Sequence, residues 1–268
     1  MGKNVIYMLK SVTDTIGDIF IITTEDDKVI VIDGGHKSET DNFVRYLKSI
    51  TGSENPHIDA WFLSHPHDDH CEVFFNIAEH SGYGITFDKV YANFPEDPAF
   101  YEGVDEWAVK MVADYNRLRP SFEDKAEKLK EGDVFNIDAA KFTVFYTFNP
   151  EWKQCNDAST IMRMDLGGKR VMFNGDAGIL PGEYVVEKYG DTGELKCDIC
   201  KTAHHGQDGV NENFYRAVDP DICIWPTPSW VYNNTNGNLK TFETREWIKK
   251  LGVKTEYKSF EGDCVIEL

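Results

Sequence analysis

An α/β fold, a sheet with helices packed outside it, is the architecture this sequence predicts, on three observations. Short runs rich in Val, Ile, Phe and Tyr alternate with stretches whose apolar residues recur at helical spacing. Turns bearing glycine or aspartate punctuate the alternation, with no repeat period and no low-complexity linker. Finally, 268 residues at 41% hydrophobic content can enclose one large core, so a single domain over residues 1–268 is expected.

Three strand-like runs open the chain: NVIYMLKS at 4–11, GDIFIITTE at 17–25 and KVIVIDGG at 28–35. Glu25, Asp26 and Asp27 supply a hairpin turn between the last two. Residues 40–50 place Phe43, Leu47 and Ile50 on one helical face. A strand over 58–63 leads into the polar stretch SHPHDDH at 64–70, and a helix over 72–80 and a strand near KVYAN at 89–93 follow. Residues 93–132 break the rhythm. A turn-rich FPEDPAFYEG precedes two expected helices, 106–117 and 122–129, split by Pro120. This is a helical insertion, read either as a wall of the pocket mouth that shapes substrate choice or as a packed surface helical pair.

Strands resume with DVFNID at 133–138 and KFTVFYTF at 141–148, joined by a turn at Ala139, Ala140 and Lys141. STIMRMDL and KRVMFNGDAG flank a Gly167-Gly168 turn, and a helix is expected over 181–188. The run LKCDICKTAHHGQDG at 195–209 repeats the layout of an apolar strand ending in histidines. A short helix at 212–217, the strand DICIWPTP, a polar aromatic loop and a helix at 241–251 that packs Phe242, Trp247 and Ile248 come next. KTEYKSF and DCVIEL are the closing strands, on either side of Glu261, Gly262 and Asp263.

The formal charge of −18 argues against long nucleic acid or an anionic membrane as partner. A small phosphate ester remains compatible, since a metal centre brings its own positive charge. Six scattered cysteines read as reduced thiols, with Cys197 and Cys200 as buried thiols in preference to a redox pair. No long apolar stretch opens the chain and nothing approaches a transmembrane span, so a cytoplasmic protein is expected.

The chemistry concentrates at the strand ends. Residues 64–70 hold His65, His67 and His70 together with Asp68 and Asp69. His65 and His67, two apart on extended backbone, leave on one side, and Asp69 and His70 follow where the chain turns toward a helix. Imidazole with carboxylate suits zinc, iron or manganese. Asp33 ends one strand, as a partner for a ligand histidine or as a turn closure. Asp176 ends another, as a helix cap or a metal ligand. His204 and His205 end a third. If the four converge on one edge they form a two-metal centre able to ionise water near neutral pH and polarise a carbonyl or phosphoryl oxygen. No serine-centred elbow, phosphate-binding GxxxxGK loop or calcium loop is present.

The pattern HxHxDH, here His65, His67, Asp69 and His70, resembles the signature of the metallo-β-lactamase-fold hydrolases. Asp33 with its glycines resembles that family's early Asp-Gly element, and Asp176 in NGDAG its bridging aspartate. The sequence AHHG at 203–206 resembles the subgroup of ComEC-like hydrolase domains and phosphorylcholine esterases. The resemblance spans nearly the whole chain and implies a four-layer αβ/βα sandwich, two mixed sheets face to face with helices outside and two divalent metal ions at one sheet edge. Zinc is the first choice, with Mn2+ or Fe2+ as alternatives.

Carried over, His65 and His67 would bind the first metal and Asp69 and His70 the second, with Asp176 bridging. His205 would complete the second position while His204 faces substrate. Many relatives place a third histidine on the first metal, whereas this chain has none between His80 and His204, and Asn156 stands in a position where the subgroup often has asparagine. Asp69 or His204 would be the acid or base, and a bridging hydroxide the nucleophile. The iron-bearing oxidoreductase branch has Glu where this chain has His67, which weakens a diiron reading. The implied function is hydrolysis of a small phosphodiester or phosphoester. Lactone, thioester or amide cleavage and a non-catalytic metal-binding or interaction protein are the alternatives.

Overall fold

The strands of the first half are parallel where they matter, so their C-terminal ends share one edge. In the computed structural model, which describes residues 2–268, β1 (Val5–Met8), β2 (Ile19–Thr23), β3 (Val29–Asp33), β4 (His57–Leu63), β5 (Thr86–Ala92) and β6 (Ala126–Glu127) lie side by side in chain order. The second sheet is built in sequence from β7 (Val134–Ile137), β8 (Ala140–Tyr146), β9 (Ile161–Leu166), β10 (Lys169–Phe173), β11 (Ile199–Lys201), β12 (Ile222–Trp225) and β13 (Thr255–Lys258). The last strand, β14 (Cys264–Glu267), returns to the first sheet beside β1. Each sheet has seven strands, with β3 to β6 and β10 to β13 running parallel and the others antiparallel.

Side-chain alternation makes two core layers out of one strand. In β2 and β3, Phe20, Ile22, Ile30 and Ile32 face the opposite sheet, where they meet Phe142, Met164, Val171 and Phe173. Ile19, Ile21, Val29 and Val31 face outward under the helices. Both faces are buried, so these strands are continuous apolar runs and not alternating ones. The outer layer of the first sheet is α1 (Thr40–Thr51), α2 (Asp68–Glu79) and α3 (Glu106–Leu118). That of the second includes α4 (Ile179–Tyr189) and α5 (Glu212–Val218), followed along the chain by the short α6 (Ser229–Tyr232) and by α7 (Thr241–Leu251). The result is the four-layer αβ/βα sandwich.

Four local expectations need correction. Residues 122–129 form no helix. After a tight turn at Arg119–Ser121 the chain becomes β6, pairing Ala126 with Val90 and Glu127 with Tyr91. Helix-favouring Glu, Lys and Ala residues there lose to the unpaired edge of β5. Residues 93–132 therefore carry one α-helix and an edge strand, not a helical pair. The β7–β8 turn sits at Asp138-Ala139, with Asp138 at φ 52°, since Ala140 already pairs with Ile137. The helix after the histidine motif begins at Asp68, which puts Asp69 and His70 in its first turn. Phe242 does not pack: it is half exposed, while Ile248 is buried. Among the described residues no helix is long and apolar enough to cross a membrane.

Candidate metal centre

The parallel order of β3, β4, β10 and β11 delivers four strand ends to one edge, where ligands of open α/β sheets gather. Beyond β4 the chain bends at His65 and Pro66, with the His67 amide donating to the His65 carbonyl at 3.0 Å, and His67 is extended before α2 starts. His65 is fully buried, and its Nε2 lies 3.1 Å from Nδ1 of His67. Asp69 and His70 project from the first turn of α2. Asp176 follows β10, and His204 and His205 follow β11.

These side chains meet. Nε2 of His70 and Nε2 of His205 lie 3.3 and 3.2 Å from Oδ2 of Asp176. Asp69 Oδ2 is 3.2 Å from His205 Nε2 and 3.6 Å from His70 Nε2. One ligand atom from each of Asp69, His70, Asp176 and His205 falls within 4.8 Å of the others. The rings of His65 and His70 are 4.2 Å apart, so the His65–His67 pair adjoins this group. His204 stands to one side, its Nε2 3.8 Å from Asp176 Oδ2 and 3.4 Å from Nδ2 of Asn156. Every sequence-predicted site residue thus lies at or beside one centre.

Asp176 is not a helix cap. The cap position of α4 is Gly178, and the Asp176 carboxylate turns inward to the histidines. Its backbone N–H donates to Ser159 Oγ at 2.9 Å, and Gly175 ahead of it sits at φ 48° with Ser159 and Ser64 so close that a Cβ would collide. Asp33 does more than close a turn. Its carboxylate accepts from the Ser64 amide at 2.7 Å and the Ser64 hydroxyl at 2.8 Å, and its Oδ2 is 2.9 Å from His70 Nδ1. The imidazole of His205 is held likewise, with Nδ1 2.8 Å from the Pro226 carbonyl and 3.2 Å from Asp18 Oδ1.

Both rings therefore have Nδ1 engaged, while Nε2 of each is buried and faces the Asp69 and Asp176 oxygens at 3.2–3.6 Å without the alignment of a hydrogen bond. A buried, unpaired imidazole nitrogen is costly unless something outside the chain occupies it. Two such nitrogens aimed at the same carboxylate, with their opposite nitrogens fixed by acceptors, are what a divalent cation requires.

Sequence reasoning missed three residues. Asp18 stands just before β2, which is antiparallel to β3 and pairs Ile19 with Asp33, so the start of β2 lies on the site edge. Lys201, on β11, is fully buried, with Nζ 2.7 Å from Asp18 Oδ2, 3.3 Å from Asp176 Oδ1 and 2.5 Å from the Gly175 carbonyl. Its signal was visible as a lysine inside the apolar run before AHHG. Asp105, far away in sequence, has Oδ2 2.7 Å from His67 Nε2.

The charges explain one another. Burial opposes the Lys201 ammonium, yet Asp18 and Asp176 hold its pKa above the ordinary value. Burial likewise opposes the Asp176 carboxylate, but His205, His70 and Lys201 hold it well below the usual range. For His70 and His205, burial is outweighed by the surrounding carboxylates, Asp176 first, and both pKa values rise. His65, buried beside two other imidazoles, is pushed down.

Backbone strain marks the same place. His204 and His205 both adopt left-handed conformations, φ 49° and 54°, at about 1–2 kcal/mol each. The turn is braced by Thr227 Oγ1 donating to the His205 carbonyl at 2.6 Å and the Ala203 amide donating to Tyr215 at 3.1 Å. Only glycine fits at 206, where a Cβ would lie 2.2 Å from the Trp225 ring.

Similarity to known proteins agrees with the fold. ComE operon protein 3 of Bacillus subtilis (strain 168) is 25% identical over 177 residues, 65% of this chain but 20% of that protein, so the chain spans about a fifth of this curated relative. The metallo-beta-lactamase fold protein YhfI of Bacillus subtilis superposes with a TM-score of 0.60 at 11% identity, over 99% of this chain and all of that one. CmlA, a diiron beta-hydroxylase from Streptomyces venezuelae, does so with a TM-score of 0.60 at 12% identity, over 99% of this chain and 54% of that one. At such identities the two structures establish the fold and not the chemistry. The model of the metallo-beta-lactamase superfamily matches residues 12–222, and the chain belongs to that superfamily.

Proposed function

We propose that the chain is a two-metal hydrolase of small phosphodiesters or phosphoesters. One observation carries the reading: Asp69, His70, Asp176 and His205 converge within 4.8 Å, beside the His65–His67 pair, with two buried imidazole nitrogens unpaired. His65 and His67 would hold the first metal and Asp69, His70 and His205 the second, with Asp176 as the shared ligand. Two divalent cations there, zinc first and manganese or iron(II) next, supply a water pKa lowered toward about 7 and a polarised phosphoryl oxygen.

The chain's own groups do the rest. Asp33 and Asp18 fix the ring orientation of His70 and His205 through their Nδ1 atoms. His204 is the partly exposed member of the histidine pair, and burial lowers its pKa despite nearby Asp176. Its Nδ1 lies 3.3 Å from the Asp208 carbonyl and carries the proton of the neutral ring, so His204 would donate from Nε2 to a phosphoryl oxygen as the imidazolium. Asp69 accepts or returns a proton. The AHHG motif, which resembles the ComEC-like and phosphorylcholine esterase subgroup, supports the phosphodiester class, while the acidic chain favours a small or nucleotide-like substrate over long DNA. Free thiols, five of the six buried, fit a reducing cytoplasmic setting.

The test is turnover of bis(p-nitrophenyl) phosphate, then of nucleotide and phosphocholine-type esters, with zinc and with manganese. His204→Ala lowers kcat by roughly a hundredfold with metal content intact, and His205→Ala loses the second metal. The opposite metal pattern reverses the two assignments. Turnover of a lactone or thioester without any phosphodiester turnover overturns the substrate class, and inactivity of the metal-loaded protein on the whole panel leaves a metal-binding protein without catalysis.

A further inference from the structure

We infer that Asp105 is the positioning residue for His67, and that through it the insertion at 93–132 is tied to the first metal position. The two nitrogens of the His67 ring have different neighbours. Nδ1 lies 3.1 Å from His65 Nε2, so the two rings address the same space. Nε2 lies 2.7 Å from Asp105 Oδ2. A carboxylate accepts and does not donate, so it keeps the ring proton on Nε2 and leaves the Nδ1 lone pair free.

The other carboxylate oxygen is also engaged. Asp105 is the N-cap of α3, with Oδ1 accepting from the Ala108 amide at 3.1 Å. Its own amide donates to the Tyr101 carbonyl at 2.9 Å, which locks the preceding turn. The helix it starts is seated on the first sheet's outer core through Ala108, Met111, Val112 and Tyr115. One side chain therefore joins a packed helix to a candidate ligand, and the ring cannot swing without breaking that bond.

This inference rests on the reading that His65 and His67 hold a metal. This chain brings two histidines, His65 and His67, to that position, so the aim of His67 counts for more. Cys155 Sγ also lies near His67 and Asp105, which would permit a separate cation there. Burial and the Asp105 carboxylate push the Cys155 thiol well up, and cobalt(II) absorption reports directly whether that thiol binds a cation.

The experiment compares the full chain with Asp105→Asn and Asp105→Ser. Both residues cap helices about as well as aspartate, so helix α3 is retained. Serine cannot reach His67, and asparagine can turn its amide toward Nε2 and shift the ring proton to Nδ1. Zinc and cobalt(II) affinities are measured by chelator competition, and melting is followed on the metal-free proteins. The expected result is a first-metal affinity lowered 10- to 100-fold in both variants, with second-metal affinity and metal-free melting unchanged. Wild-type affinity for both metals in both variants overturns the inference, as does an equal weakening of both positions that tracks a lower melting temperature. A cobalt–thiolate absorption band in the wild type, lost in Cys155→Ser, also overturns it by making Asp105 a ligand of a separate cation. A wild type that binds no metal refutes the two-metal reading itself, before any variant is compared.

Discussion

Replacing Asp176 by alanine is expected to remove both metals and all hydrolysis in one step. The carboxylate faces the His70–His205 pair, 3.2 Å from His205 Nε2 and 3.3 Å from His70 Nε2, with His204 Nε2 at 3.8 Å, and the His65 ring adjoins that of His70. No neighbouring side chain can take over, because Asp69 sits on the His70–His205 side and Asp33 is committed to Ser64 and His70. A capping role would give a different result: about 0.5–2 kcal/mol of stability lost with metal content whole. Elemental analysis beside a melting curve separates the two outcomes, and retention of either metal at wild-type level would contradict the bridging role.

Lys201→Met is expected to be the most destabilising single change in this region. The substitution keeps an aliphatic stem of similar length but deletes the ammonium that lies between Asp18 and Asp176. Both carboxylates are buried, and removing one partner of a buried ion pair costs about 3–5 kcal/mol. Burial of Lys201 is complete, so solvent screening offers little relief. Urea denaturation of the metal-free protein reads the effect directly. A loss below about 1 kcal/mol, the range of an exposed ion pair, would show that the cluster does not depend on this charge.

What was legible in the sequence was local. Residues 58–70 carry their own strand and ligand spacing, and His65 and His67 do come together, though through a bend at 65–66 and not on extended backbone. Asp176 and the 204–205 pair were legible as polar groups at the ends of apolar runs. Choosing between cap and inward carboxylate for Asp176 required the register of β10 with β9 and β11, which no short window contains. Asp18 was hidden for the same reason: its place at the site follows from the antiparallel pairing of β2 with β3. Asp105 reaches His67 across 38 residues, and nothing near it in sequence announces the contact. The misread helix at 122–129 shows the converse. Its residues favour helix by themselves, but the free edge of β5 offers backbone partners that a surface helix does not need.

The central claim, that these strand ends form a two-metal centre, is tested most directly by metal stoichiometry. Protein expressed with ample metal, dialysed mildly and submitted to elemental analysis is expected to hold close to two equivalents of zinc per chain. A value near one would leave the Asp69–His70–His205 position alone and place the weakness at His65, His67 and Asn156. A value near zero, in protein that melts cooperatively, would contradict the claim outright.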